Sequence, residues 1–163
     1  MKKLALIFIT FIISASVAGC TVSEASDKDQ YGNYLSELNS GNTYFGQARI
    51  HYDGAMDAFS GGIHYDAINA MNSAAENYDL AETHYGRMAD FAEGQDQKAY
   101  AAALKSYAES CKYAARSYAE AYKAYNDDDR IKGELRMSEA AAFVTQANGY
   151  HDQAVKLQSM AIQ

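Results

Sequence analysis

The side chains best suited to chemistry in this sequence are four histidines, two cysteines and a run of aspartates at 127–129. A di-iron site in a helical bundle uses Glu-x-x-His pairs, and covalent haem attachment uses Cys-x-x-Cys-His. Neither cysteine is part of the haem motif, and none of the histidines follows a glutamate by three positions. The residues at those positions are Ala48, Gly61, Ala81 and Asn148. The spacing therefore predicts neither of these two centres.

Two weaker candidates for metal or haem binding remain. The aspartates at 127–129 lack the alternating ligands and distal glutamate of a calcium loop, which favours a solvated turn. Non-covalent haem could use His151 with Met88 or Met160, but methionine in a helical core usually fills space. The sequence therefore predicts no metal and no cofactor. A haem- or metal-bearing electron carrier is the alternative.

The first twenty residues have the three parts of a secretory signal. Lys2 and Lys3 precede an uncharged apolar run at 4–13, and small residues lead to Cys20. Residues 4–19 number sixteen, fewer than the roughly 20 of a spanning helix. We therefore expect residues 1–19 to be a signal peptide.

The four residues at 17–20 read VAGC and resemble the lipobox of prokaryotic lipoproteins. The resemblance covers only this signal region. It implies cleavage before Cys20 and attachment of lipid to the Cys20 sulfur. The expected localisation is extracytoplasmic, in the cell envelope, with the protein anchored to a membrane by its N-terminal lipid.

The charge of the chain restricts its partners. The sequence has 14 basic and 21 acidic residues. Loss of residues 1–19 would remove two lysines and leave a formal charge of −9. Nucleic acids and anionic lipid surfaces attract clusters of Lys and Arg, so the composition argues against both, and the lipid has to supply the anchor.

Large residues spaced by seven indicate helices packed along a seam. The first such series is Tyr31, Leu38, Phe45, Tyr52 and Phe59, and similar series follow after breaks at 60–64, 93–97 and 126–130. Short loops between long helices produce antiparallel neighbours. The sequence predicts an all-α, antiparallel up-down four-helix bundle at 31–161, preceded by the lipidated cysteine and a flexible tether at 20–30. The expected helices are about 31–60, 64–93, 97–126 and 129–161.

Folding these helices back on one another groups residues into layers. The expected middle layer is Phe45, Tyr78, Cys111 and Val144, which makes Cys111 a buried, inert thiol. The flanking layers are Tyr52, Met71, Tyr118 and Met137 on one side, and Leu38, Tyr85, Leu104 and His151 on the other, with His151 hydrogen-bonded to Tyr85. Alanines on the seams let the helices approach closely, so little room for a pocket is expected. Gly41 and Gly46 make the first helix soft at 39–46.

An alternative fold follows from the stretch at 76–93, ENYDLAETHYGRMADFAE. It resembles the second helix of a tetratricopeptide repeat, which implies short helix pairs every 34 residues and a role in protein–protein contacts. The turn that such a repeat needs is missing at 73–82.

These observations favour binding over catalysis. The expected central layers hold no converging titratable groups of the kind catalysis needs, so we expect no enzyme. Three tyrosines lie outside the heptad positions expected to face the core and have many carboxylates nearby: Tyr44, Tyr65 and Tyr113. Tyrosine is enriched at protein interfaces. The expected function is a non-catalytic binding or structural module whose partner is another envelope protein.

Overall fold

The computed structural model of the protein describes residues 25–162, and the side chains of residues 29–162. Over this part of the chain the fold is all-α, as predicted, with no strand. The four helices are α1 (Ala25–Ser60), α2 (His64–Met88), α3 (Gln95–Asn126) and α4 (Arg130–Ala161). A single 3-10 turn, Ala89–Phe91, follows α2.

The helix boundaries differ from the predicted ones mainly at the start of α1. Residues 25–30, expected to be a flexible tether, are helical. They contain neither Gly nor Pro, so nothing stops the helix from extending backwards at low cost. At the other boundaries, α3 begins two residues earlier than expected, and α2 gives way to the 3-10 turn after Met88.

The helices end at the turns that the Gly and Asp clusters predicted. Gly62 has φ of +79° in the loop between α1 and α2, a conformation that glycine adopts without steric cost. Asp129 caps α4, since its side chain accepts a hydrogen bond of 3.1 Å from the Lys132 backbone N–H. Such a cap satisfies one of the free N–H groups at the helix start.

The residues of α1 contact those of α2 in reverse order along the chain. Phe59 lies against His64 beside the loop, with ring centroids 5.1 Å apart. Further from the loop, Phe45 packs edge-on against Tyr78 at 4.9 Å. The same order holds between α3 and α4, where Tyr125 contacts Gly133, Tyr113 contacts Phe143 and Tyr107 contacts His151. These are the contacts of antiparallel neighbours.

The tetratricopeptide alternative is wrong. That fold needs a turn inside each repeat, whereas α2 runs without interruption through 73–82. Each of the four helices has 25 residues or more.

Alanine and tyrosine make up most of the core. The seam alanines predicted beside the middle layer are all buried: Ala48, Ala81, Ala114 and Ala147. The largest fully enclosed side chains are Tyr34, Tyr78, Tyr122, Met71 and Met88. Small residues on the helix faces thus leave the space between helices to the tyrosine rings.

The side of the bundle between α1 and α4 is packed more loosely than the sides between consecutive helices. Each helix packs on the next one in the chain, but no Cα atom of α1 lies within 8 Å of a Cα atom of α4. The expectation of seams packed too closely for a pocket is therefore wrong at this interface.

Candidate functional site

The gap between α1 and α4 contains a cavity of about 370 Å³. All four helices contribute to its lining, with α1 and α4 as its two walls and α2 and α3 as its floor. This volume falls within the range of roughly 300–1,000 Å³ typical of small-molecule sites.

The α1 wall includes the stretch at 39–46, where the sequence predicts a soft helix. Asn39, Asn42, Gly46 and Arg49 line the cavity, and their spacing of three or four residues puts them on one face of the helix. Helix α1 is continuous here, which answers whether 39–46 interrupts it. The polar and small residues that weaken helix propensity therefore form one wall of a recess.

The floor is mainly tyrosine. Tyr85 of α2 and Tyr100, Leu104 and Tyr107 of α3 line it. The Tyr85 hydroxyl donates a 2.8 Å hydrogen bond to the Asn42 Oδ1 atom. This bond fixes the orientation of the Tyr85 ring between the floor and the α1 wall.

The α4 wall consists of His151, Ala154, Val155 and Gln158. The His151 ring lies 5.3 Å from the Tyr107 ring, centroid to centroid, and its Nδ1 atom lies 3.7 Å from the Asp152 carboxylate. The predicted hydrogen bond from His151 to Tyr85 is wrong, since the Tyr85 hydroxyl is directed to Asn42.

The tyrosines of the floor stay protonated at ordinary pH. Burial raises the pKa of Tyr100 to about 12. Burial is also the main cause of the raised pKa of Tyr85 and of Tyr107. The Arg49 guanidinium acts in the opposite direction on the Tyr107 pKa. The site therefore presents neutral phenols beside one permanent positive charge.

The residues that lie together in the middle layer are close to the predicted set. Cys111 is a buried free thiol, and it lines a small void together with Tyr78 and Val144. Burial raises the Cys111 pKa, so the thiol is protonated and a poor nucleophile. Phe45 contacts Tyr78 as expected. The layer Leu38, Tyr85, Leu104 and His151 differs, because the last three of these residues line the cavity.

The three tyrosines predicted as a partner surface do not lie together. Tyr65 is in the first turn of α2 and is 73% exposed. Tyr44 stacks on His84, nineteen residues further along α2, or about 28 Å at the rise of a helix. Tyr113 packs against Phe143 of α4. Tyr44 is only half-buried and Tyr113 is exposed, but the three belong to separate surfaces.

Tyr44 also belongs to a cluster of side chains at the contact between α1 and α2. The His84 Nδ1 atom lies 2.6 Å from the Glu37 carboxylate, and the Tyr44 ring is stacked on the His84 ring with centroids 5.3 Å apart. These contacts join α1 to α2. They give Tyr44 a packing role within this helix pair.

Cys20, the predicted lipidation site, lies outside the described residues. Within residues 25–162, none of the helices has both the length and the apolar composition needed to cross a bilayer. Over the same range, no three His, Cys, Asp or Glu side chains converge in a way that could hold a metal ion.

Comparison of the chain with protein-family models, with curated proteins and with solved structures found no match.

The sequence did contain one signal for the cavity. Asn39, Asn42, Gly46 and Arg49 continue at helical spacing beside the apolar heptad series. A polar stripe that borders a buried seam predicts a solvated face next to the core. What it could not indicate is that α4 stays far enough from this face to leave a cavity beside the tyrosines.

Proposed function

We propose that this protein is a lipid-anchored component of the cell envelope whose helical bundle is a non-catalytic binding module, with the cavity between α1 and α4 as its binding site. The observation that carries the proposal is the cavity itself, about 370 Å³ in volume and lined by all four helices. Small-molecule sites are concave and mainly apolar, with a few placed polar groups. Tyrosines and a leucine on the floor, with amides on the walls, fit that description.

The rigidity of the lining supports a binding role. Its side chains stand on helices of 25 or more residues, and the Tyr85 ring is held by its bond to Asn42. A ligand entering a preformed site pays less conformational entropy than one that must order a loop. The Tyr85–Asn42 bond thus supports a preorganised site.

The anchoring half of the proposal is supported by the basic start, the apolar run and the VAGC sequence at 17–20. Four residues separate Cys20 from the start of α1 at Ala25. A lipid on Cys20 would hold that end of α1 near the bilayer. Asn39, fourteen residues further on, would then lie about 21 Å further along the helix axis.

The test is to fill the cavity and ask whether a bound compound is lost. Gly46 lies in the α1 wall, and a Cβ atom there would meet no atom within 4 Å. Gly46→Trp should therefore place an indole in the cavity. Gly54→Trp is the matched control, since Gly54 is on the same helix, is equally open and lies outside the cavity.

Each protein would be purified from its native membrane and analysed by native mass spectrometry. We expect a low-mass compound on the wild-type protein and on Gly54→Trp, and its loss from Gly46→Trp. Equal occupancy in Gly46→Trp, or no bound compound on any of the three proteins, would contradict the proposal.

A further inference from the structure

We propose that the ligand of this cavity is an uncharged, flat ring compound whose carbonyl oxygen accepts a hydrogen bond from the Asn42 side-chain amide. The inference rests on the proposed function and adds the chemical class of the ligand. Four features of the lining support it: an amide held in one orientation, further neutral donors, charged groups that are already engaged, and a row of aromatic rings.

The Asn42 amide is held in one orientation at the α1 wall. Its Oδ1 atom accepts a 2.8 Å hydrogen bond from the Tyr85 hydroxyl, so its Nδ2 atom is directed away from that hydroxyl. An amide nitrogen has two N–H donors. Within the described part of the chain these donors have no hydrogen-bond partner, and Asn42 lines the cavity. A ligand oxygen would supply the acceptor that this group lacks.

The floor adds neutral hydrogen-bond donors. Tyr100 and Tyr107 line the cavity, and their hydroxyls have no hydrogen-bond partner within residues 29–162. Burial raises the pKa of Tyr100 to about 12 and also raises the pKa of Tyr107. Both phenols therefore keep their protons at ordinary pH and can donate. A ligand that accepts hydrogen bonds, as a carbonyl oxygen does, fits this lining.

The charges of the lining favour an uncharged ligand. No Asp or Glu is among the described residues that line the cavity, so a cation or a polyhydroxyl compound would find no carboxylate to accept its N–H or O–H groups. Arg49 carries the permanent positive charge of the lining, and it already interacts within the fold. His151 has the Asp152 carboxylate 3.7 Å from its Nδ1 atom. An anion would therefore lose its hydration without gaining a free cationic partner.

Three rings form a row from α1 across α3 to α4. The Phe45 and Tyr107 ring centroids are 4.7 Å apart, and those of Tyr107 and His151 are 5.3 Å apart. All three residues line the cavity. Phe45 and His151 are only half-buried, so part of each side chain is available to a ligand. Aromatic rings pack on one another in offset or edge-on contacts, which makes this row suited to a flat ring.

The experiment compares two probes that share one ring system. 2-Acetylnaphthalene carries a carbonyl oxygen, and in 2-ethylnaphthalene a methylene group replaces the carbonyl. Asn42→Asp keeps an acceptor for the Tyr85 hydroxyl but loses the N–H donors. It should weaken binding of 2-acetylnaphthalene about tenfold, since the carbonyl oxygen loses its donor and faces another acceptor. Binding of 2-ethylnaphthalene should change less than twofold.

Asn69→Asp is the matched control, since Asn69 is an exposed asparagine outside the cavity, and it should alter the binding of neither probe. Dissociation constants would come from ligand-observed NMR titrations of the mature protein purified from its native membrane. The uptake of each probe by detergent micelles, measured without protein, would be subtracted. Equal effects of Asn42→Asp on the two probes would overturn the inference, and so would a failure of 2-acetylnaphthalene to bind the wild-type protein.

A third probe tests the charge of the ligand. 2-Naphthoate carries a carboxylate on the same ring system and should bind the wild-type protein about tenfold more weakly than 2-acetylnaphthalene, because its charge is not compensated in the cavity. Equal or tighter binding of 2-naphthoate would show that the site does not select an uncharged ligand.

One measurement needs no variant and keeps the test valid if Asn42→Asp fails to fold. A hydrogen bond to a carbonyl oxygen weakens the carbonyl bond and lowers its infrared stretching frequency. Bound 2-acetylnaphthalene should therefore absorb at lower frequency than the same compound in hexane. An unshifted band would contradict a hydrogen bond from Asn42.

The variants also separate this inference from the proposed function. If Gly46→Trp abolishes binding of both naphthalenes while Asn42→Asp weakens neither or both equally, the cavity is a binding site but does not select a carbonyl oxygen. If Gly46→Trp leaves both probes bound as in wild type, the cavity is not the site and both proposals fail.

Discussion

The ring of Tyr85 occupies the space that a Cβ atom on Gly41 would need. A Cβ built on Gly41 would lie 2.5 Å from the Tyr85 Cε1 atom and 2.7 Å from Cδ1. One residue further along α1, Asn42 accepts the hydrogen bond of the Tyr85 hydroxyl. Gly41 and Asn42 together therefore position the tyrosine that connects the cavity floor to its α1 wall.

Replacing Gly41 with alanine should not stabilise the protein, although alanine is the better helix former. The gain in helix propensity is about 1 kcal/mol, but the new methyl group has to displace a buried ring, and overpacking costs about 1–3 kcal/mol. We expect Gly41→Ala to be neutral or to lower the free energy of unfolding by up to about 2 kcal/mol, measured by urea denaturation.

Gly54→Ala is the control for this prediction. A Cβ atom at Gly54 meets nothing within 4 Å, so this variant should raise the free energy of unfolding by about 0.5–1 kcal/mol. If Gly41→Ala stabilised the protein as much as Gly54→Ala, Tyr85 would not require the glycine.

The Cys111 thiol should resist modification in the folded protein. It is 5% exposed and burial raises its pKa, so both access and thiolate formation are suppressed. In a Cys20→Ser background, a disulfide reagent should label Cys111 only at the rate at which the protein unfolds. A variant with Cys111→Ala and Tyr113→Cys, with its thiol at an exposed position of the same helix, should react at once. Prompt labelling of native Cys111 would show that this layer is open.

The protein should unfold in alkali because many of its tyrosines are buried. Burial is the main cause of a raised pKa in seven of the 14 tyrosines: Tyr34, Tyr52, Tyr78, Tyr85, Tyr100, Tyr107 and Tyr122. The unfolded chain releases these protons near pH 10, whereas the folded chain holds them to higher pH. Above about pH 10 the folded state therefore binds more protons, and its stability falls as pH rises.

The loss should be about 1.4 kcal/mol per pH unit for each tyrosine that stays protonated in the fold. Seven such groups would exhaust a typical stability of about 5–15 kcal/mol within one to two pH units. Tyrosinate absorbance and helical circular dichroism, followed together, should show a cooperative step in which the remaining tyrosines ionise as the helices melt. Complete ionisation with the helices intact would contradict this expectation.

The anchor is testable without the structure. Mature protein from its native membrane should begin at Cys20 and carry lipid mass on that residue. Cys20→Ser should be released from the membrane or remain unprocessed. Mass spectrometry of the N-terminal peptide decides, and an unmodified N-terminus at any other residue would contradict the lipobox interpretation.

Much of the helical architecture followed from spacing alone. Heptad series predicted four helices, and the Gly and Asp clusters predicted the turns to within a few residues at most boundaries. The contact of Phe45 with Tyr78 followed from folding one helix back on the next. Short loops leave consecutive helices little freedom to slide, so the register is encoded locally.

The candidate site was not predictable in the same way. The glycines and amides at 39–46 predict a soft part of α1, because helix propensity describes an isolated helix and not the side chain that packs against it. Only the fold shows that Gly41 makes room for Tyr85. The tyrosines predicted as a partner surface were identified by their helical phase, which gives no distance between helices.

The sequence by itself determined the four helices, their order and the pairing of each with the next, since these depend on local periodicity and on short connections. The tertiary structure decided how α1 stands relative to α4. No loop joins these two helices directly, and their separation depends on the summed packing of both against α2 and α3. That separation leaves a cavity next to the buried rings of Tyr85, Tyr100 and Tyr107, and it turns a row of polar residues on α1 into one wall of that cavity.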